Sequence, residues 1–144
     1  MSLLEELYRE TIMQHAQRPH NFGPLEAPTV KVGGHNPSCG DRIELYLKVE
    51  NGHIAEARFT GHGCAISQSS ASMMTDLIRG RTLAEALELH RKFKAMVVEA
   101  EPPDPALGDL AALAGVAKLP ARVKCATLAW NALEQAIEQV GEAL

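Results

Sequence analysis

Apolar and polar residues alternate strictly after Asp41. Ile43, Leu45, Leu47 and Val49 fall on one side, and Arg42, Glu44, Tyr46, Lys48 and Glu50 on the other. A period of two marks a half-buried strand. Asn51-Gly52 follows it, the pair whose backbone twist best suits a tight hairpin, so His53 to Thr60 reads as the returning strand. Upstream, Arg18 to Pro37 carries too many Pro and Gly residues for a helix, although Thr29 to Val32 fits a short edge strand.

The period changes to that of a helix elsewhere. Leu4, Leu7, Tyr8, Thr11 and Ile12 form a stripe behind a capping box of Ser2 and Glu5, predicting a first helix to about Gln17. Ala65 to Arg79 predicts a second helix, with Ile66, Ser70, Met73, Met74 and Leu77 on one face and Gly80 as its stop. Thr82 and Glu85 form another capping box, starting a helix through Leu83, Leu87, His90 and Val97. The acidic, proline-rich run Glu99 to Pro105 ends it. Leu107 to Ala117 suggests a short helix and Pro120 an interruption. Ala126, Trp130, Leu133, Ile137 and Val140 then mark the stripe of a long final helix with Cys125 in its first turn. With no internal repeat, residues 1–144 are expected to form one α+β domain, a small antiparallel sheet of about three strands covered by several helices.

Composition narrows the function. A net charge of -4 offers no basic field for a phosphate backbone, so nucleic acid is not an expected partner. Arg91-Lys92-Phe93-Lys94 and Arg122-Val123-Lys124 read as solvated helix faces. No apolar run approaches the roughly 20 residues of a membrane span, and Glu5, Glu6 and Glu10 stand where a signal peptide would be basic. No membrane partner is expected, and a cytoplasmic location is. In a reducing compartment three cysteines point to metal binding or thiol chemistry rather than to disulfides.

Each cysteine falls at the end of an element. Cys39 lies in the loop Asn36-Pro37-Ser38-Cys39-Gly40-Asp41, Cys64 between Gly63 and a helix, and Cys125 behind Lys124. Helix N-termini and neighbouring cations favour the thiolate, the form that binds metal or attacks sulfur. A lone free cysteine is more often a small buried hydrophobe, but three at element ends weaken that reading. None of the spacings makes a local CxxC pair, which disfavours a thiol oxidoreductase and requires any shared site to be assembled by the fold. Three thiolates with the Asp41 carboxylate would supply enough donors for tetrahedral zinc or for the edge of an iron-sulfur cluster. A purely structural zinc site remains an alternative.

The chain resembles the U-type iron-sulfur cluster assembly proteins: IscU, SufU and the N-terminal domain of NifU. The motifs that carry the resemblance are Pro19-His20-Asn21-Phe22-Gly23, Asn36-Pro37-Ser38-Cys39-Gly40-Asp41, Gly61-His62-Gly63-Cys64-Ala65-Ile66-Ser67 and Arg122-Val123-Lys124-Cys125-Ala126. The resemblance implies Cys39, Asp41, Cys64 and Cys125 as ligands of a zinc ion or of a transient [2Fe-2S] cluster. It also implies a cysteine desulfurase as sulfur donor and iron-sulfur recipient or carrier proteins downstream. Many IscU members carry a histidine before the third cysteine and a Leu-Pro-Pro-Val-Lys motif for an Hsp70-type chaperone. Here Lys118-Leu119-Pro120-Ala121-Arg122-Val123-Lys124 stands in that place, and the segment around Glu99 to Lys118 is additional. Both features resemble the SufU branch, which is associated with tightly bound zinc and sulfur relay. The resemblance thus implies a scaffold or sulfur acceptor, sulfurtransferase-like at most as an enzyme. Cys39, on a mobile kind of loop, is the candidate acceptor and Cys125 the alternative.

Other residues carry less. His62 invites a role as a further ligand or acid-base group, although a hydrogen-bonded loop histidine accounts for it. The other histidines, including His15 and His20, have no mutual spacing that suggests a second site. Ser67, Ser69, Ser70 and Ser72 fit close helix packing better than nucleophilic chemistry.

Overall fold

A computed structural model describes residues 3–143, and in it three antiparallel strands form one sheet. They run in the order β1 (Val30–Asn36), β2 (Asp41–Glu50) and β3 (His53–His62). The alternating pattern sets which face turns inward: Asp41, Ile43, Leu45 and Leu47 of β2 are buried, while Arg42, Glu44 and Lys48 are exposed. Tyr46 departs from the alternation. It stands on the outer side yet is buried, with Lys31 over its ring and its hydroxyl 3.0 Å from the Glu44 carboxylate. A register shift between Lys48 and Val49 moves the inward row of β3 from Ile54 to Ala57 and Phe59.

The helices are α1 (Leu3–Gln17), α2 (Ala65–Ile78), α3 (Leu83–Val98) and α4 (Pro120–Ala143), with a 3₁₀ segment over Pro105–Lys118. Helices α2 and α4 pack on the inner face of the sheet, and α1, α3 and the 3₁₀ segment pack on those two. Because α2 lies between these layers it is buried almost all round, and its serines serve close approach. Ser70 donates a 2.7 Å hydrogen bond to the Ala126 carbonyl of α4. Helix α4 also rides close over β1, where a Cβ on Gly34 would stand 3.0 Å from a Leu128 methyl.

Several expectations needed correction. β1 runs on from Val32 to Asn36, because its partner β2 supplies hydrogen bonds past Gly33-Gly34 down to the Asn36–Asp41 pair. In α1 the face turned inward is Ile12 and His15, and Leu7 is exposed. The Ser2 half of the first capping box lies outside the described residues. The Thr82–Glu85 box forms with both bonds, but Leu87 points outward while Ala86, Leu89, Phe93 and Met96 are buried. The 107–117 stretch is 3₁₀ on both sides of Gly108, whose φ of 54° breaks the run. Pro120 begins α4 instead of interrupting it, since proline suits the first helical position. The stripe Ala126, Trp130, Leu133, Ile137 and Val140 is buried as expected. No helix of the described residues is long and apolar enough to cross a membrane.

Candidate metal centre

The three cysteines are free, and the fold gathers them at one end of the sheet. Asn36 and Asp41 pair as the last and first residues of β1 and β2, so the turn between them carries Cys39. The Cys39 amide donates to the Asn36 carbonyl at 3.3 Å, closing the turn. Asp41 is turned inward by the same parity that buries Ile43 and Leu45, and none of it is exposed. Cys64 is the N-cap of α2, and its backbone N–H donates to Asp41 Oδ1 at 2.9 Å. Cys125 reaches in from α4, its sulfur 3.3 Å from that of Cys39.

One donor atom from each of Cys39, Asp41 and Cys125 lies within 4.8 Å of the other two. The Cys64 sulfur stands 4.0 Å from Asp41 Oδ2. Of the four sequence-predicted site residues, Cys39, Asp41 and Cys125 come together, while Cys64 stands outside that group and is joined to it through Asp41. His62 is exposed at the end of β3 and outside this group.

The electrostatics call for a cation. A fully buried carboxylate is costly unless a positive charge faces it. No Lys, Arg or His among the described residues makes an ion pair with Asp41. The backbone N–H of Cys64 and the Ser67 hydroxyl, 3.2 Å from Oδ1, are hydrogen-bond donors to it and carry no full charge. Burial raises the Cys125 pKa, and its contacts with Asp41, Cys39 and Cys64 raise it further. A metal ion would take the place of the thiol protons and pair with the carboxylate, because thiolates and a carboxylate are the donors such an ion binds. The donor set fits zinc.

Cys125 does not start its helix. With Pro120 in the first position it lies on the second turn, where its amide is already bonded within the helix. The thiolate stabilisation expected from a helix N-terminus is therefore lost there. The cation beside it is Arg122, one turn earlier. A hydrogen bond to Cys125, followed by the charges of the three cysteines, raises the Arg122 pKa. Lys124 instead lines a groove with Asn36, Ser38 and Thr127.

Sequence reasoning missed the supports of the site. Asn36 Nδ2 lies 3.7 Å from the Cys125 sulfur, and Ser67 bonds Asp41. Gly63 has φ 156°, and a Cβ there would stand 2.2 Å from Asp41 Oδ1. The signal was a glycine immediately before a cysteine, which marks a close backbone approach as readily as a turn.

The sequence profile of the NifU-like N-terminal domain matches residues 7–142. The chain is 46% identical over 135 residues to the zinc-dependent sulfurtransferase SufU of Bacillus subtilis, covering 93% of this chain and 91% of that protein. It is 44% identical over 144 residues to the iron-sulfur cluster assembly scaffold protein IscU of Streptococcus pyogenes, covering 99% and 90%. The N-terminal NifU-like protein of Brucella abortus superposes with a TM-score of 0.89 at 25% identity, covering 99% of this chain and 100% of that one.

Proposed function

The chain belongs to the NifU-like N-terminal domain family, and on that premise we propose that it is an iron-sulfur cluster assembly protein that accepts persulfide sulfur from a cysteine desulfurase. The observation that carries this reading is the convergence of Cys39, Asp41 and Cys125 donors within 4.8 Å, with Cys64 joined to them through Asp41. Cys39, Asp41, Cys64 and Cys125 are the residues that hold zinc in this reading. Bound there, zinc supplies the positive charge that keeps the thiols deprotonated. The resemblance to a relative named a zinc-dependent sulfurtransferase supports it.

Cys39 is the acceptor in this account. It sits on a hairpin turn and is partly exposed, whereas Cys125 is buried in α4 and Cys64 is fixed as the cap of α2. The Cys39 thiolate attacks the terminal sulfur of the donor persulfide. The donor's sulfur–sulfur bond breaks, its electron pair leaves with the donor cysteine as thiolate, and a new sulfur–sulfur bond forms on Cys39. Arg122, exposed at the rim and close to the thiols, suits an acidic patch on the desulfurase. Sulfur then passes to an iron-sulfur recipient or carrier protein, and the exchange takes place in the cytoplasm, where free thiols persist.

A second reading, a scaffold that carries a transient [2Fe-2S] cluster on the same residues, is supported by the 44% identity to a relative named an assembly scaffold. Both readings require an opening site, which a purely structural zinc centre would not have. Alkylation of the metal-loaded protein separates them from the structural alternative. A cysteine that becomes reactive or takes up sulfur with desulfurase and free cysteine is the expected result, and complete inertness would overturn the proposal.

A further inference from the structure

A second constellation lies along α2, away from the cysteines. Its centre is Ser72, about 12 Å from Cys64 along the helix axis at roughly 1.5 Å per residue. His15 from the last turns of α1, His20 from the loop that follows, and Asp76 from α2 meet there. One donor atom from each lies within 4.8 Å of the other two. We propose that His15, His20 and Asp76 form a second metal site, for a divalent ion of the zinc or ferrous type.

The site is built rather than accidental. The Ser72 hydroxyl stands 2.7 Å from His15 Nδ1 and accepts the backbone N–H of His20 at 2.8 Å, so one side chain positions both histidines. Holding one ring nitrogen in this way is how proteins aim the other at a metal. Asp76 is held by its Oδ1, which accepts from Asn21 Nδ2 at 2.8 Å, and a bound ion would take the place of the proton that His20 Nδ1 and Asp76 Oδ2 share at 2.5 Å. His15 is buried, while His20 and Asp76 are 54% and 42% exposed, which gives an ion a way in.

A cavity of about 200 Å³ opens beside the group, lined by His15 and Asp76 and, from the 3₁₀ segment, by Asp109. It has room for bound water and offers a further carboxylate facing the group. Imidazole and carboxylate donors without sulfur suit borderline divalent ions. The donor set differs from that of the cysteine centre by its lack of sulfur, so the two sites differ in their spectra even with the same metal. An ion here would tie α1 and the loop after it to α2, the helix that carries Cys64 at its head. No residue of the cysteine centre takes part in this site, which is independent of the sulfur-transfer reading.

The test adds cobalt(II) to protein whose cysteine centre already holds zinc. A further equivalent should bind with weak visible ligand-field bands and without the near-ultraviolet charge transfer that thiolate ligands give. Zinc added in its place should shift the ring signals of His15 and His20 in the parent protein's NMR spectrum. His20→Ala and Asp76→Asn should each weaken the added equivalent at least roughly tenfold, leaving the zinc of the cysteine centre and the far-ultraviolet circular dichroism unchanged. No uptake beyond the cysteine centre, thiolate charge transfer in the added equivalent, or its undiminished binding in either folded variant would overturn the proposal. Should a variant fail to fold, unshifted His15 and His20 signals in the parent protein would overturn it equally.

Discussion

Asp41 and Cys64 are joined twice: the carboxylate accepts the Cys64 backbone N–H at 2.9 Å through Oδ1, while Oδ2 stands 4.0 Å from the Cys64 sulfur. A strand start and a helix cap are thereby locked together, and the carboxylate is aimed at the place where the thiols meet. The candidate metal centre is built on that junction.

Replacing Asp41 by Ala removes a single anionic donor and keeps all three thiols. Zinc should still be captured, with affinity lower by at least roughly tenfold, and an air-free cluster should persist longer on the remaining thiolates. Competition with a chromogenic chelator measures the first effect. Unchanged zinc affinity would remove Asp41 from the ligand set.

Gly63→Ala tests the packing behind the site. The new methyl would stand 2.2 Å from Asp41 Oδ1 and 2.7 Å from the Ser67 hydroxyl, at a backbone φ of 156°. The expected cost is about 1–3 kcal/mol for strained backbone, seen as a Tm lower by roughly 3–10 °C, together with weaker zinc binding. A variant as stable as the parent would show that the carboxylate can shift freely.

Metal removal should also destabilise the fold, because the ligands come together only in the native chain. An ion present at roughly 100 times its Kd contributes about 2.7 kcal/mol, so a chelator should lower Tm by about 5–10 °C. Calorimetry before and after chelation reads this directly. Extraction without any change in Tm would contradict the coupling.

His90 supplies a pH dependence distant from the cysteines. Burial lowers its pKa, Lys94 lowers it further and Glu134 opposes. The unfolded histidine takes up a proton near pH 6.5, about its ordinary value, and the folded one only at lower pH. Stability is therefore whole above that value and falls as pH drops through the window between the two. In His90→Asn the loss between pH 7.5 and 5.5 should be smaller. Equal pH slopes in denaturant titrations of the two proteins would contradict the assignment.

The strands and most helix ends were legible because strict alternation, Asn51-Gly52 and Thr82 with Glu85 are local signals. The start of α4 was misread, since Pro120 breaks a helix or begins one according to what precedes it. Leu7 and Leu87 were misplaced for a tertiary reason: which side of a helix is covered depends on its neighbours. The approach of Cys39, Asp41 and Cys125 was legible through motif resemblance, whereas spacing gave only a candidate donor set. The supports were not. Asn36 and Ser67 act across contacts between distant segments, and no sequence period encodes them.

The central claim is that Cys39 takes the sulfur, and mapping persulfide by mass spectrometry tests it most directly. The protein would be incubated with a cysteine desulfurase and free cysteine, alongside folded Cys39→Ser, Cys64→Ser and Cys125→Ser variants. The account predicts added sulfur on Cys39 in the parent protein and its loss in Cys39→Ser. Sulfur found on Cys125 in the parent, and still present there in Cys39→Ser, would contradict it.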